Sequence, residues 1–172
     1  MSEGEVHRML ALEPDRRNSA LLLLLYGAGL RVTEAAELRW HDLRERDDAG
    51  QLSTYGKGGK TRVVLLPAVV WRALVALRGT AGMDAPVFAS TRGGGVMGCE
   101  AMHRIVKAAA KRAGLSEAVS AHWLRHAHVS HALDRGAPAH LVQATVGHSS
   151  LATTSRYAHA RPGDSSARYL GL

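Results

Sequence analysis

The sequence lacks the features that mark disulfide-rich secreted proteins and membrane proteins. Cys99 is the only cysteine among 172 residues, which excludes a disulfide framework and a thiolate metal site. The most apolar run, residues 21–25, is far too short to cross a bilayer. The first residues carry Glu3 and Glu5 and no apolar run follows them, unlike a signal peptide. These absences predict a cytoplasmic protein.

Negative charge is scarce in one part of the chain. Between residues 101 and 161 the acidic side chains are Glu117 and Asp134, against eight lysines and arginines, so this segment carries a net +6 of the chain's +7. Eight of the ten histidines lie in the same segment. A concentrated positive charge of this kind favours a polyanionic partner over an acidic small molecule.

Hydrophobic periodicity and turn signals predict a mainly α (α+β) domain. Helices are predicted at residues 5–12, 14–26, 34–38, 68–78, 98–113, 123–134 and 138–146, with a last helical turn at 151–157. Residues 40–46, 51–55 and 61–66 are predicted to form a small three-stranded antiparallel sheet, with a glycine-rich, lysine-bearing tip at 56–60. We expect one domain over residues 1–172, in which residues 161–172 are an extended C-terminal tail.

Two helices show which side is expected to face the core. Residues 21–25 are apolar all round, so the helix at 14–26 is predicted to be central. In the helix at 68–78 the side chains available for burial are Val69, Leu74, Val75 and Leu77. The helix around residues 34–38 is expected to be capped by Thr33 or one of its neighbours.

A set of residues suited to phosphodiester chemistry lies around the two predicted helices at 123–134 and 138–146. His122 and Arg125 are three residues apart, so both can reach one phosphate. His148 follows Gly147, and Tyr157 comes nine residues after His148. Guanidinium groups form bidentate hydrogen bonds to phosphate oxygens, imidazoles accept and donate protons near neutral pH, and a phenol can be a nucleophile. Spacing alone leaves open that Tyr157 only packs and that His148 only caps a helix.

Arg31 is a further candidate. It lies at a glycine-flanked corner before a helix, with Glu34 one turn on to orient its guanidinium.

Four motifs, in this order and at these separations, resemble those of the tyrosine recombinases, the phage integrase family. They are GLRVTE at 29–34, GKGGKTR at 56–62, HWLRH at 122–126 and VGHSSLATTSRY at 146–157. The resemblance extends from about residue 5 to residue 159. It implies six catalytic side chains: Arg31, Lys57, His122, Arg125, His148 and Tyr157. The two arginines would hold the non-bridging oxygens of the scissile phosphate, and the two histidines would hydrogen-bond the same phosphate.

The resemblance also implies a mechanism. Lys57 would protonate the departing 5′-oxygen, and Tyr157 would attack phosphorus to leave a 3′-phosphotyrosine and a free 5′-hydroxyl. No metal, ATP or other cofactor is implied. The expected partners are double-stranded DNA, which Lys60 and Arg62 are predicted to bind, and further copies of the protein in a tetrameric synapse on DNA. The N-terminal DNA-clamping domain that a full recombinase usually carries is expected to be absent from this chain.

Three other interpretations fit parts of the sequence. The chain could be a DNA-binding remnant or regulator without chemistry, or an enzyme of the type IB topoisomerase kind. A metal site is the third, since His122 and His126 are four residues apart on one helix, with His128 and His131 nearby. No carboxylate or cysteine lies close enough in sequence to complete a recognisable metal-binding pattern.

Overall fold

The computed structural model describes residues 1–47, 49–55, 61–91, 93 and 95–148. Within these residues the helices are α1 (Glu3–Ala11), α2 (Arg16–Gly27), α3 (Val32–Glu37), α4 (Ala68–Arg78), α5 (Cys99–Arg112), α6 (Ala121–Asp134) and α7 (Ala139–Val146). The strands are β1 (Leu43–Arg46), β2 (Ala49–Tyr55) and β3 (Thr61–Leu66), and they form one antiparallel sheet in the order β1-β2-β3. This confirms the predicted mainly α class with a small three-stranded antiparallel sheet.

Helix α2 is the centre of the core, as predicted. Its N-cap residue Asp15 accepts a hydrogen bond from the Asn18 amide at 2.8 Å. The four leucines that are fully buried in α2 are Leu21, Leu22, Leu24 and Leu25. The helix packs against α1, α3, α4, α5 and α6. Burying a leucine stabilises a fold by about 1.5–3 kcal/mol, so the burial of α2 contributes much of the free energy that stabilises the packed helices.

The chain turns sharply after α2 at Gly29, where the backbone has φ +60. A Cβ on Gly29 would lie 2.8 Å from the Cδ2 of His128 in α6 and 2.9 Å from the Cγ1 of Val146 in α7. The corner that leads to α3 is therefore packed directly against α6 and α7.

Replacing Gly29 with alanine is expected to destabilise the protein. A left-handed backbone costs an L-residue about 1–2 kcal/mol, and overpacking against His128 and Val146 adds about 1–3 kcal/mol. Urea unfolding of Gly29→Ala would measure this loss. Gly4 in α1 has nothing within 4 Å of its Cβ position, so Gly4→Ala is a matched control that should not destabilise. A Gly29→Ala variant as stable as the wild type would contradict the packing.

Strand β3 presents alternate side chains to the core. Val64 and Leu66 are buried, whereas Val63 and Leu65 are 54% and 59% exposed. Val64 lies opposite Leu52 of β2, which is also buried. Since side chains alternate between the faces of a strand, Arg62 lies on the inner face with Val64 and Leu66.

Two local expectations were wrong. Residues Trp40–Asp42 form a 3₁₀ turn and not the start of a strand, because the Asp42 carboxylate accepts the Arg39 amide at 2.9 Å. Thr33 lies inside α3 and does not cap it. The α3 cap is at Arg31, whose amide donates to the Glu34 carboxylate.

In α4, two of the expected core residues are also on the wrong side. Val69 and Val75 are 52% and 46% exposed, and the buried side chains are Val70 and Leu74. The reason is that α4 packs against both α2 and β2, which turns the face bearing Val70 and Leu74 inward.

Helix α7 has a small apolar attachment of its own. Val142 and Val146 form a cluster with Val129 of α6, separate from the main core. None of the helices described is both long and apolar enough to cross a membrane. The predicted tip at 56–60, the helical turn at 151–157 and the tail at 161–172 lie outside the described residues.

Candidate functional site

Arg125 occupies the centre of the candidate site. It lies in α6, one turn after His122, and only 3% of it is exposed. Its Nη1 donates to the Gly29 carbonyl at 2.6 Å and its Nη2 to the Val146 carbonyl at 2.5 Å. A fixed fork of donors thus joins the corner after α2 to the end of α7, and both bonds hold the guanidinium plane in one orientation.

Arg31 lies at that corner, as predicted, and Glu34 holds it. The Arg31 Nη1 donates to Glu34 Oε1 at 3.0 Å, and the Arg31 amide donates to Oε2 at 2.8 Å. The Arg31 side chain is 41% exposed, whereas that of Glu34 is 5% exposed. Burial alone would raise the pKa of Glu34, but hydrogen bonds from Arg62 and Arg31, and the charges of both, lower it below its usual value. Glu34 is therefore a buried carboxylate anion.

His148 follows the end of α7. Gly147 caps the helix in the left-handed conformation, with φ +66 and its amide donating to the Gln143 carbonyl at 2.8 Å. The His148 amide donates to the same carbonyl at 3.2 Å, and the Gln143 side-chain amide donates back to the His148 carbonyl at 3.1 Å. These bonds fix the backbone of His148 relative to α7.

The pKa of His148 shows what surrounds its imidazole. It is lowered from 6.5 to about 4, first by burial and then by the charges of Arg125, Arg31, His126 and His122. Two segments, helix α6 and the corner at Arg31, therefore place positive charge near one imidazole. At neutral pH His148 is uncharged and can donate one N–H, while the arginines supply a field that attracts an anion.

This shift predicts a pH dependence of stability. The unfolded chain takes up a proton at His148 near pH 6.5, but the folded chain only near pH 4. Lowering the pH through this range therefore favours the unfolded state. The free energy of unfolding, measured by urea titration from pH 8 to pH 4, should fall less steeply in His148→Gln than in the wild type. Equal slopes would show that the imidazole is not in this electropositive setting.

His122 and His126 form a pair on α6. Their ring centroids are 4.0 Å apart and the rings are nearly perpendicular, at 84°. Burial, followed by the charges of His122 and Arg125, lowers the pKa of His126. The six catalytic side chains implied by the sequence did not include His126, although its position four residues after His122 predicts the ring contact.

His128 and His131 have other partners. The His128 Nδ1 is 2.7 Å from the Tyr26 carbonyl, which can only accept, so this nitrogen carries the proton. The His131 Nδ1 is 3.0 Å from the Tyr26 hydroxyl, and its Nε2 is 3.1 Å from the Met1 carbonyl. Both imidazoles tie α6 to the N-terminal part of the fold. In the described part of the chain, no three His, Cys, Asp or Glu side chains are grouped to hold a metal ion.

Arg62 was predicted to bind DNA. In the structure its side chain is largely buried and binds protein groups. Its side chain is 11% exposed. Nη1 and Nη2 each donate to one Glu34 oxygen at 2.8 Å, and Nε donates to the Thr145 carbonyl at 2.9 Å.

Three of the predicted site residues lie outside the described residues: Lys57, Lys60 and Tyr157. The structure brings together Arg31, Arg125, His122 and His148. Glu34 binds Arg31, and Arg62 in turn binds Glu34.

Comparisons with known proteins identify the family. The family model described as the phage integrase family matches residues 1–163. A tyrosine recombinase XerD from Corynebacterium glutamicum is 35% identical over 159 residues, which are 89% of this chain and 51% of that protein. A tyrosine recombinase XerC from Xanthomonas campestris is 39% identical over 145 residues, 83% of this chain and 44% of that protein. The chain therefore spans about half the length of these relatives.

Solved structures show the same fold. The crystal structure of XerA recombinase matches with a TM-score of 0.80 and 27% identity, covering 94% of this chain and 60% of that one. XerH site-specific recombinase, bound to its difH substrate in a pre-cleavage complex, matches with a TM-score of 0.82 and 24% identity, over 94% of this chain and 50% of that one.

Proposed function

Since this chain belongs to the phage integrase family of tyrosine recombinases, we propose that it is the catalytic part of a site-specific DNA recombinase. It cleaves and rejoins DNA strands through a 3′-phosphotyrosine, without a metal ion or ATP. The observation that carries this proposal is the convergence of Arg31, Arg125 and the uncharged His148, from three separate segments, on one electropositive position.

The arginines act on the phosphate itself. Arg31 and Arg125 hold its non-bridging oxygens and stabilise the negative charge that builds up there in the transition state. Both are already fixed by protein atoms, Arg31 by Glu34 and Arg125 by two carbonyls. They therefore need little reorganisation when the reaction occurs. His148 donates a hydrogen bond to the same phosphate, and its neutral state leaves the positive charge to the arginines.

The remaining residues move the proton and break the bond. The Tyr157 oxygen attacks phosphorus and loses its proton, with His122 as the acceptor. The bond from phosphorus to the 5′-oxygen breaks, and Lys57 protonates that oxygen. The new phosphotyrosine ester conserves the energy of the phosphodiester, so a 5′-hydroxyl from a second strand can reverse the step. An unperturbed phenol titrates near pH 10, so the nearby positive charge is what makes attack possible at neutral pH.

The proposed partners are double-stranded DNA and further copies of the protein in a tetrameric synapse. Helix α5 supports the first proposal, because its buried side chains lie on one face and its basic side chains on the other. The exposed basic residues of α5 are Arg104, Lys107, Lys111 and Arg112. Lys60, next to Lys57 in the tip, is proposed to bind DNA as well. We place the reaction in the cytoplasm.

Covalent trapping tests the proposal. The chain is incubated, in EDTA and without ATP, with a pool of nicked 40-base-pair duplexes of random sequence. After cleavage the short strand between the cleaved bond and the nick dissociates, so its 5′-hydroxyl cannot reverse the reaction. We expect protein–DNA adducts that survive denaturing electrophoresis, and sequencing them identifies the preferred site. DNA binding without any adduct would show a regulator or remnant, and adducts that need a divalent ion would show a metal enzyme.

A second arm separates recombinases from topoisomerases. A type IB topoisomerase relaxes supercoiled plasmid as a single protomer, whereas strand exchange needs an assembled synapse. We expect adducts but no efficient relaxation of a plasmid by this chain. Rapid relaxation would place the activity with the topoisomerases.

A further inference from the structure

Arg62 joins the two sides of the candidate site. Through Nη1 and Nη2 it binds both oxygens of Glu34, each at 2.8 Å, and through Nε it binds the Thr145 carbonyl at 2.9 Å. Glu34 belongs to α3 and Thr145 to the last turn of α7. One guanidinium on β3 therefore connects the helix that follows Arg31 to the helix that precedes His148.

On the α3 side, Arg62 fixes the carboxylate that holds Arg31. Glu34 receives the Arg31 amide and the Arg31 Nη1 in addition to the two bonds from Arg62. A bidentate pair fixes the plane of a carboxylate as well as its distance. The orientation of Arg31 therefore depends on Arg62 through Glu34.

On the α7 side, Arg62 helps to set the position of His148. The apolar attachment of α7 consists of Val142 and Val146 against Val129. A Cβ on Gly147 would lie 3.1 Å from the Arg62 Nη1 and 3.3 Å from its Cδ. The glycine at this cap thus leaves room for Arg62, and the guanidinium packs against the turn that leads to His148.

We propose that Arg62 is a positioning residue, and not a DNA contact. By bridging Glu34 and the end of α7, it fixes the positions of Arg31 and His148 relative to each other. The inference rests on the proposed function for its kinetic consequence. Lysine cannot replace it, because a single ammonium group cannot bind both carboxylate oxygens and a carbonyl in three fixed directions.

The test compares Arg62→Met, Arg62→Lys and Arg72→Gln, the last being an exposed arginine on α4 as a control for lost charge. The adduct-forming sequence from the trapping experiment is the probe. We expect Arg62→Met to form adduct about 100-fold more slowly, as misplaced catalytic groups do, and Arg62→Lys to be nearly as slow. DNA affinity and its salt dependence should match those of Arg72→Gln.

A phosphate contact predicts the opposite pattern. Arg62→Lys would then keep most of the activity, and the salt slope of binding for Arg62→Met would fall by about 1. That result, or an Arg62→Met variant as fast as the wild type, would overturn the inference. A wild-type chain that forms no adduct would instead contradict the proposed function.

An NMR titration of His148 provides a readout that needs no DNA. Loosening the end of α7 should raise the pKa of His148 from about 4 toward 6.5, although Arg125 and Arg31 are both still present. If Arg62→Met does not fold, Glu34→Gln keeps the side-chain shape and removes the charge, and it should show the same slow cleavage and raised pKa. An unchanged pKa in the folded variant would contradict the role of Arg62 in placing His148.

Discussion

Arg125→Ala is expected to lower the rate of DNA cleavage by about 10²–10³-fold, the scale of losing one preorganised transition-state donor. The same substitution should destabilise the fold. The Gly29 and Val146 carbonyls lie in buried residues and would lose their Arg125 donors, at a cost of about 1–3 kcal/mol each. Single-turnover adduct formation measures the first effect, and urea unfolding measures the second.

The two effects of Arg125 can be separated with Arg125→Lys. Lysine keeps the positive charge near the phosphate, but it cannot bridge two carbonyls in the fork geometry of a guanidinium. We expect Arg125→Lys to be destabilised almost as much as Arg125→Ala and to cleave at an intermediate rate. Cleavage by Arg125→Ala within about tenfold of the wild-type rate would contradict its role at the phosphate.

The sequence contained enough to predict the main elements and part of the site. The run at residues 21–25 is apolar in every direction, which only a central helix can accommodate, and α2 is that helix. Glu34 lies one turn after Arg31, and this spacing predicted the contact that the structure shows. Such features depend on neighbours in the chain, which periodicity and spacing describe directly.

Arg62 shows what local sequence could not predict. Residues 63–66 are apolar at every position, so the pattern does not indicate which face of β3 is buried. Only the packing against the helices decides that Val64 and Leu66 face inward. Because side chains alternate along a strand, Arg62 then faces inward as well. Its partners Glu34 and Thr145 lie 28 and 83 residues away in the chain. No local pattern connects residues at such separations.

The arrangement also explains why the site depends on backbone groups as much as on side chains. Arg125 and Arg62 each connect the region after α2 to the end of α7, Arg125 through two carbonyls and Arg62 through Glu34 and the Thr145 carbonyl. The end of α7 is thus held by two charged forks and a small valine cluster.

Tyr157→Phe is expected to abolish the covalent adduct while leaving DNA binding intact. The substitution removes one oxygen, the atom proposed to attack phosphorus, and keeps the ring. Adduct on a denaturing gel should fall below detection, and the affinity for the same duplex, measured by fluorescence anisotropy, should stay at the wild-type value. Tyr169→Phe is the matched control, since it removes a phenol from the same C-terminal segment and should form adduct as the wild type does. An adduct that persists in Tyr157→Phe would mean that another side chain is the nucleophile. Loss of the adduct in Tyr169→Phe alone would move the assignment to that phenol.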